Sequence, residues 1–219
     1  SVEAVTDIRC ASAGIGVKVH PRDDAANRRY GSSCRIGALS HDRWLLGWRA
    51  MTVAGISGLD LSPWEEPDPH GEPRLMLEGW LGYQRHEFLR KLRDLTPDQL
   101  VAWSVPPVEL SVLGLVRHMT QMGHVYLSWG LGGGDRSMRY GEDDYAGGSL
   151  DTIDDDLRWY FEEVARADDA IRGLATLESL GKGHGRPLRA TLVKMIDEYA
   201  LHAGQAHMLR FAALGQMIR

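Results

Sequence analysis

A chain of 219 residues, 43% hydrophobic and 25% charged, can bury one substantial core and has the composition of an ordinary globular protein. Its formal charge of -5, with no basic cluster, argues against DNA or RNA as the partner. No apolar run is long enough to span a membrane, and no segment has the pattern of a signal peptide.

Residues 1–60 read as an N-terminal extension with no assigned fold, and residues 61–219 as the body of the protein. Gly14, Gly16, Gly31, Gly37 and Gly47 interrupt any helix in the extension, while Val17-Lys18-Val19-His20 alternates over the length of a short strand. Trp44-Leu45-Leu46-Gly47-Trp48 is apolar enough to lie against something. Cys10 and Cys34, the only cysteines, also fall here. Isolated cysteines suit a reducing compartment, which places the protein in the cytoplasm. The Pro67, Pro69 and Pro73 stretch from Leu61 onward reads as an extended linker.

The spacing of Leu77, Trp80, Leu81, Phe88, Leu89 and Leu92 predicts a first helix from Arg74 to Asp94, with Arg85, Arg90, Lys91 and Arg93 facing outward or sideways. Thr96-Pro97-Asp98-Gln99 is a capping-box start for a short helix that Pro106-Pro107 soon ends. A second long helix starts at a Ser111 cap and stops at Gly132-Gly133-Gly134. The polar, glycine-rich stretch to Gly148 is a loop of the length that often borders a site. A third helix covers Leu150 to Leu174, capped by Ser149 or Asp151. Its Asp154-Asp155-Asp156 run is accounted for by solvation and the helix dipole. Gly181 to Pro187 reads as a hinge-like loop before a last helix from Leu188 to Phe211. The fold expected is all-α, a four-helix bundle with long crossover connections.

Function enters through the last helix. Glu198 and His202 are four residues apart, about 6 Å along a helix, and project from the same side. A carboxylate in a core-forming region must be paired or bound to a cation. His118, in the middle of the second long helix, is the candidate third member. Two imidazoles and one carboxylate would leave a coordination place open on a zinc-like ion, and iron or nickel suits the same set. The residues alone also admit a simple Glu–His hydrogen bond and a satisfied core histidine. His124, His184 and His207 are less well placed, and neither His-Glu-x-x-His nor a paired Glu-x-x-His motif is present.

Two stretches, Leu110-Ser111-Val112-Leu113-Gly114-Leu115-Val116-Arg117-His118-Met119 and Met195-Ile196-Asp197-Glu198-Tyr199-Ala200-Leu201-His202-Ala203-Gly204-Gln205, resemble the DinB-like superfamily. The likeness is greatest to its actinobacterial branch related to mycothiol-dependent maleylpyruvate isomerase and mycothiol transferases. The resemblance implies a DinB/YfiT-like bundle holding a divalent metal, zinc favoured, on His118, Glu198 and His202. It also implies mycothiol or a related low-molecular-weight thiol as cosubstrate, acting on a small electrophile by S-transfer or isomerisation. Relatives often carry an acid near Gln121 and a histidine near Gln205, so this chain departs from them at both positions. Trp80, Tyr126 and Trp159 are candidate pocket walls, and Asp197 either supports a ligand or lies on the surface.

Two other functions fit the same residues. A metal-dependent hydrolase would need a base such as His124 or His184, because Gln121 cannot accept the proton. A non-catalytic, dimeric metal-binding protein would place Trp44, Trp48 and Trp64 in a homodimer interface. Four protein ligands, or a triad spread over more than about 5 Å, would favour that last reading.

Overall fold

The structure, a computed structural model, describes residues 61–141 and 144–215. The strand expected at Val17–His20, the Trp44–Trp48 stretch and both cysteines lie outside the described residues.

Each helix starts where local chemistry lets it. Glu72 accepts the Leu75 N–H and opens α1, Pro73–Arg90. The Thr96–Gln99 capping box opens α2, Pro97–Val101, with both reciprocal bonds formed at 2.9 and 3.3 Å. Ser111 Oγ accepts the Gly114 N–H at 2.9 Å and opens α3, Val112–Met122. The chain then passes through a π-helical turn, Gly123–Ser128, into α4, Trp129–Gly132, before Gly133 takes a positive φ of 80°. A 3₁₀ turn at Leu150–Thr152 leads into α5, Ile153–Arg172, and the last helix is α6, Leu188–Ala213. There is no strand among the described residues, only an isolated antiparallel bridge between Leu180 and Pro187.

The bundle forms because α1 lies along α6, α5 lies along α3 and the π turn, and α3 also meets α6. Leu81, Phe88 and Leu89 of α1, Leu115 and Met119 of α3, Leu157 and Tyr160 of α5, and Leu192, Met195 and Tyr199 of α6 are all buried in one core. Each such large side chain contributes about 1.5–3 kcal/mol by leaving water.

Three features differ from the sequence expectation. Arg85 does not face outward. It stands four residues after Leu81 and four before Leu89, on the buried stripe, and its Nη1 donates to Asp168 Oδ1 of α5 at 2.7 Å. Burial opposes the Arg85 charge, but Asp168 more than offsets this and raises its pKa. Asp156 is not a solvated member of an acidic run, because it is fully buried and accepts from Arg117 Nη1 at 3.3 Å and Thr152 Oγ1 at 2.9 Å. The segment from Leu61 is no free linker, since Leu61 is buried and the Trp64 ring stacks on His86 with centroids 4.8 Å apart.

The loop expected to be a hinge is instead a cap. The carbonyls at the end of α4 have no partner within their own helix. Lys182 N–H donates to Leu131 O at 3.0 Å, and the Gly183 and His184 N–H groups donate to Gly130 O at 3.1 and 3.2 Å. His184 Nδ1 accepts the Arg186 N–H at 3.1 Å and its Nε2–H donates to Tyr126 O at 3.0 Å, so both ring nitrogens are used. The loop comes this close only because glycines line the contact. A Cβ on Gly130 would lie 2.4 Å from His184 Cδ2. Gly130→Ala is therefore expected to cost about 1–3 kcal/mol by overpacking, read as a lowered urea midpoint. Gly204→Ala, whose Cβ would meet nothing within 4 Å, should leave that midpoint unchanged or raise it. Equal midpoints for Gly130→Ala and the wild type would contradict the seating of the loop.

Candidate metal centre

Glu198 and His202 stand one turn apart on α6, and His118 comes from the middle of α3 where the two helices meet. One ligand atom from each of the three lies within 4.8 Å of the other two. The His118 and His202 rings meet edge to face with centroids 4.6 Å apart. Among the described residues, this is the one group of His, Cys, Asp or Glu side chains placed to hold a metal ion.

Both imidazoles are held from behind. His118 Nδ1–H donates to Asp144 Oδ2 at 2.9 Å, and His202 Nδ1–H donates to Gln205 Oε1 at 2.8 Å. Each hydrogen bond fixes the tautomer and leaves Nε2 with a free lone pair, the arrangement that orients metal-bound histidines. Burial lowers the His202 pKa, against opposing contributions from Gln205 and Glu198, which favours a neutral ring. Its Nε2 stands 3.3 Å from Glu198 Oε2.

Burial alone would raise the Glu198 pKa, but the net shift is downward, chiefly through Lys194 Nζ bonded to Oε1. A carboxylate oxygen and an imidazole nitrogen thus stand side by side on one helix face, and His118 adds a second nitrogen within 4.8 Å, so the donor set fits a divalent ion. Two nitrogens and one oxygen are a set that zinc accepts readily.

Asp144 reaches His118 from the non-helical 144–148 segment, and several contacts hold it there. Gln121 Nε2–H donates to Asp144 Oδ2 and to Gly141 O, both at 3.0 Å, while Gln121 Oε1 accepts the Tyr140 N–H at 3.2 Å. Arg117 Nε–H donates to Asp144 O at 3.2 Å, its Nη1 pairs with buried Asp156, and its guanidinium lies 4.1 Å over the Tyr140 ring. Tyr145 stacks on His118 with centroids 4.2 Å apart and planes 14° from parallel. Burial first, then Asp144 and Glu198, push its phenol up to about 12, so it stays protonated. The loop can lie this low because residue 114 is glycine, where a Cβ would stand 2.4 Å from Tyr145 O.

The other candidates fall elsewhere. Asp197 is exposed, and its nearest ion-pair partner is Lys194 at 3.9 Å, so it belongs to the surface. His207 is exposed with its ring against Phe211, and His184 is committed to the loop cap. His124 turns toward Ser128 at 3.2 Å and Glu163 at 3.8 Å. Trp80 packs edge-on to Tyr83, Trp159 carries Arg139 at 4.2 Å, and Tyr126 lies under Arg186. The aromatic against the site is Tyr145. Residue spacing could have pointed to Gln121 and Gln205, each three residues after a histidine on its helix. Asp144 and Tyr145 arrive through a loop and leave no such signal.

The fold and site together define an all-α bundle with a His–Glu–His donor set between two helices. The model of the mycothiol S-transferase family matches residues 76–215, and the chain belongs to that family. No curated protein and no solved structure matches it.

Asp144→Asn keeps the shape but weakens the hydrogen bond that orients His118. Loss of such an outer partner typically costs about 10–100-fold in metal affinity. That loss should appear in a chelator competition titration with zinc, with the urea midpoint little changed. Unaltered affinity would show that Asp144 does not position the ligand.

Proposed function

We propose that this chain is a metal-dependent S-transferase that joins a low-molecular-weight thiol of the mycothiol type to a small electrophile. In this reading His118 Nε2, Glu198 Oε2 and His202 Nε2 are the metal ligands and zinc is the favoured ion. The observation that carries it is the meeting of three ligand atoms within 4.8 Å, both imidazoles tied back through Nδ1, in a chain of the mycothiol S-transferase family.

A divalent ion in that position would stabilise a thiolate over a thiol at neutral pH. The residues supply the rest. Asp144 and Gln205 hold the two imidazoles in one tautomer, so each ring keeps its orientation and its Nδ1–H. The Tyr145 ring shields the His118 face from water. In the transfer the thiol gives up its S–H proton to solvent and its sulfur forms one bond to an electrophilic carbon. A leaving group departs with the electron pair of its own bond, or the carbon next to the new bond takes up a proton. Reversible addition of the same sulfur to a cis double bond, followed by rotation and elimination, would give isomerisation from the same residues.

Two observations favour this reading over its rivals. A hydrolase needs a base beside the ion, and neither His124 nor His184 supplies one. A purely structural site closes with four protein ligands, whereas the group among the described residues has three and spans less than 5 Å. The reading also takes residues 61–219 as the catalytic bundle and residues 1–60 as an extension to it. A thiol cosubstrate suits the reducing cytoplasm, where two isolated cysteines would stay reduced. Homodimerisation is compatible with this chemistry and not required by it.

The test uses protein purified without chelator. About one zinc per chain is expected, with conjugation of a monochlorinated or epoxide probe that depends on added mycothiol. His118→Ala should lose both the metal and the conjugation while keeping the helical circular dichroism. Full metal occupancy in His118→Ala would reject the ligand set. Probe turnover that is independent of added thiol would reject the transferase.

A further inference from the structure

Lys194, Glu198 and His202 follow one another at four-residue steps along α6, so the three side chains share one face. Lys194 Nζ is hydrogen-bonded to Glu198 Oε1, while the other oxygen, Oε2, is the one that faces His202 Nε2 at 3.3 Å. The two carboxylate oxygens therefore have different tasks, and an ammonium sits on the ligand itself. Glu198 is held at both oxygens, with its side chain 14% exposed and that of Lys194 35% exposed.

We infer that Lys194 is a positioning residue. It fixes Glu198 as a ligand through one oxygen and cancels the single negative charge of the His–Glu–His set. This rests on the metal reading above and goes beyond it, because the ligand set alone does not determine the denticity of Glu198 or the charge around the ion.

Two neutral imidazoles and one carboxylate carry one negative charge, and the Lys194 ammonium brings the total to zero. A dication there keeps its full positive charge within this set. It binds less tightly than it would beside an unpaired carboxylate, and it draws more strongly on a thiol sulfur. With Oε1 occupied, Glu198 cannot chelate through both oxygens, so a fourth place stays available for the thiol. Lys194 trades metal affinity for the ion's pull on its substrate.

Chelator competition and cobalt substitution test this on the full chain. Lys194→Met should bind zinc about tenfold more tightly than the wild type, because a like charge beside the dication is gone. The cobalt-loaded variant should show a weaker visible absorption band, since a carboxylate binding through both oxygens raises the coordination number. Lys194→Arg, which restores the cation and its donors, should return both values toward the wild type. Lys194→Gln serves as a second neutral variant if Lys194→Met folds poorly. Unchanged zinc affinity and an unchanged cobalt spectrum in the neutral variants would overturn the role of Lys194 while leaving the metal site in place. A wild-type chain that binds no zinc would instead remove the functional reading itself.

Discussion

The approach of Glu198 Oε2 to His202 Nε2, 3.3 Å apart on one face of α6, is the constraint that the rest of the site is arranged around. Both side chains are largely buried, so water does little to solvate these two atoms. Burial lowers the pKa of the His202 ring, which favours the neutral form whose Nε2 can act as a donor atom. Lys194 occupies Glu198 Oε1, and His118 brings a third donor atom within 4.8 Å of the pair, a set fit to hold a cation.

Much of the neighbouring structure serves to keep that geometry. Gly114 lets the 144–148 segment lie against α3, Arg117 ties it down through Asp144 O, and Asp156 holds Arg117. The chain from Asp156 through Arg117 and the Asp144 backbone ends on the His118 imidazole. A buried ion pair is weak evidence for stability in itself, since desolvation offsets much of its Coulombic gain. Its value here lies in direction, because it sets where a carboxylate from a loop must stand. On the opposite helix Gln205 does the same for His202 without a charge. Gln121 and Gln205 are thus both engaged in supporting the donor set.

Helix positions and starts were legible in the sequence because they depend on neighbours in the chain. The Thr96 capping box, the Ser111 cap and the stop at Gly133 all stand where local chemistry put them. The meeting of Glu198, His202 and His118 was legible in part for a similar reason: the first two share a helix face, and His118 stands in the middle of another long helix near its apolar side. Charge misled at Arg85, which spacing puts on the apolar stripe and which Asp168, 83 residues away, compensates inside. The Asp154–Asp156 run failed in the same way, since the buried fate of Asp156 is decided by Arg117 on another helix. Asp144 and Tyr145 were out of reach because a loop's path over α3 is set by packing rather than spacing. The glycines at 181 and 183 suggested flexibility, but they are there to let the backbone touch α4.

The most direct measurement is a crystal structure of the zinc-soaked protein with anomalous diffraction collected at the zinc edge. The account predicts one strong peak about 2.0–2.2 Å from His118 Nε2, His202 Nε2 and one oxygen of Glu198, with the fourth place held by solvent or thiol. A peak elsewhere, or a fourth protein ligand closing the site, would contradict it.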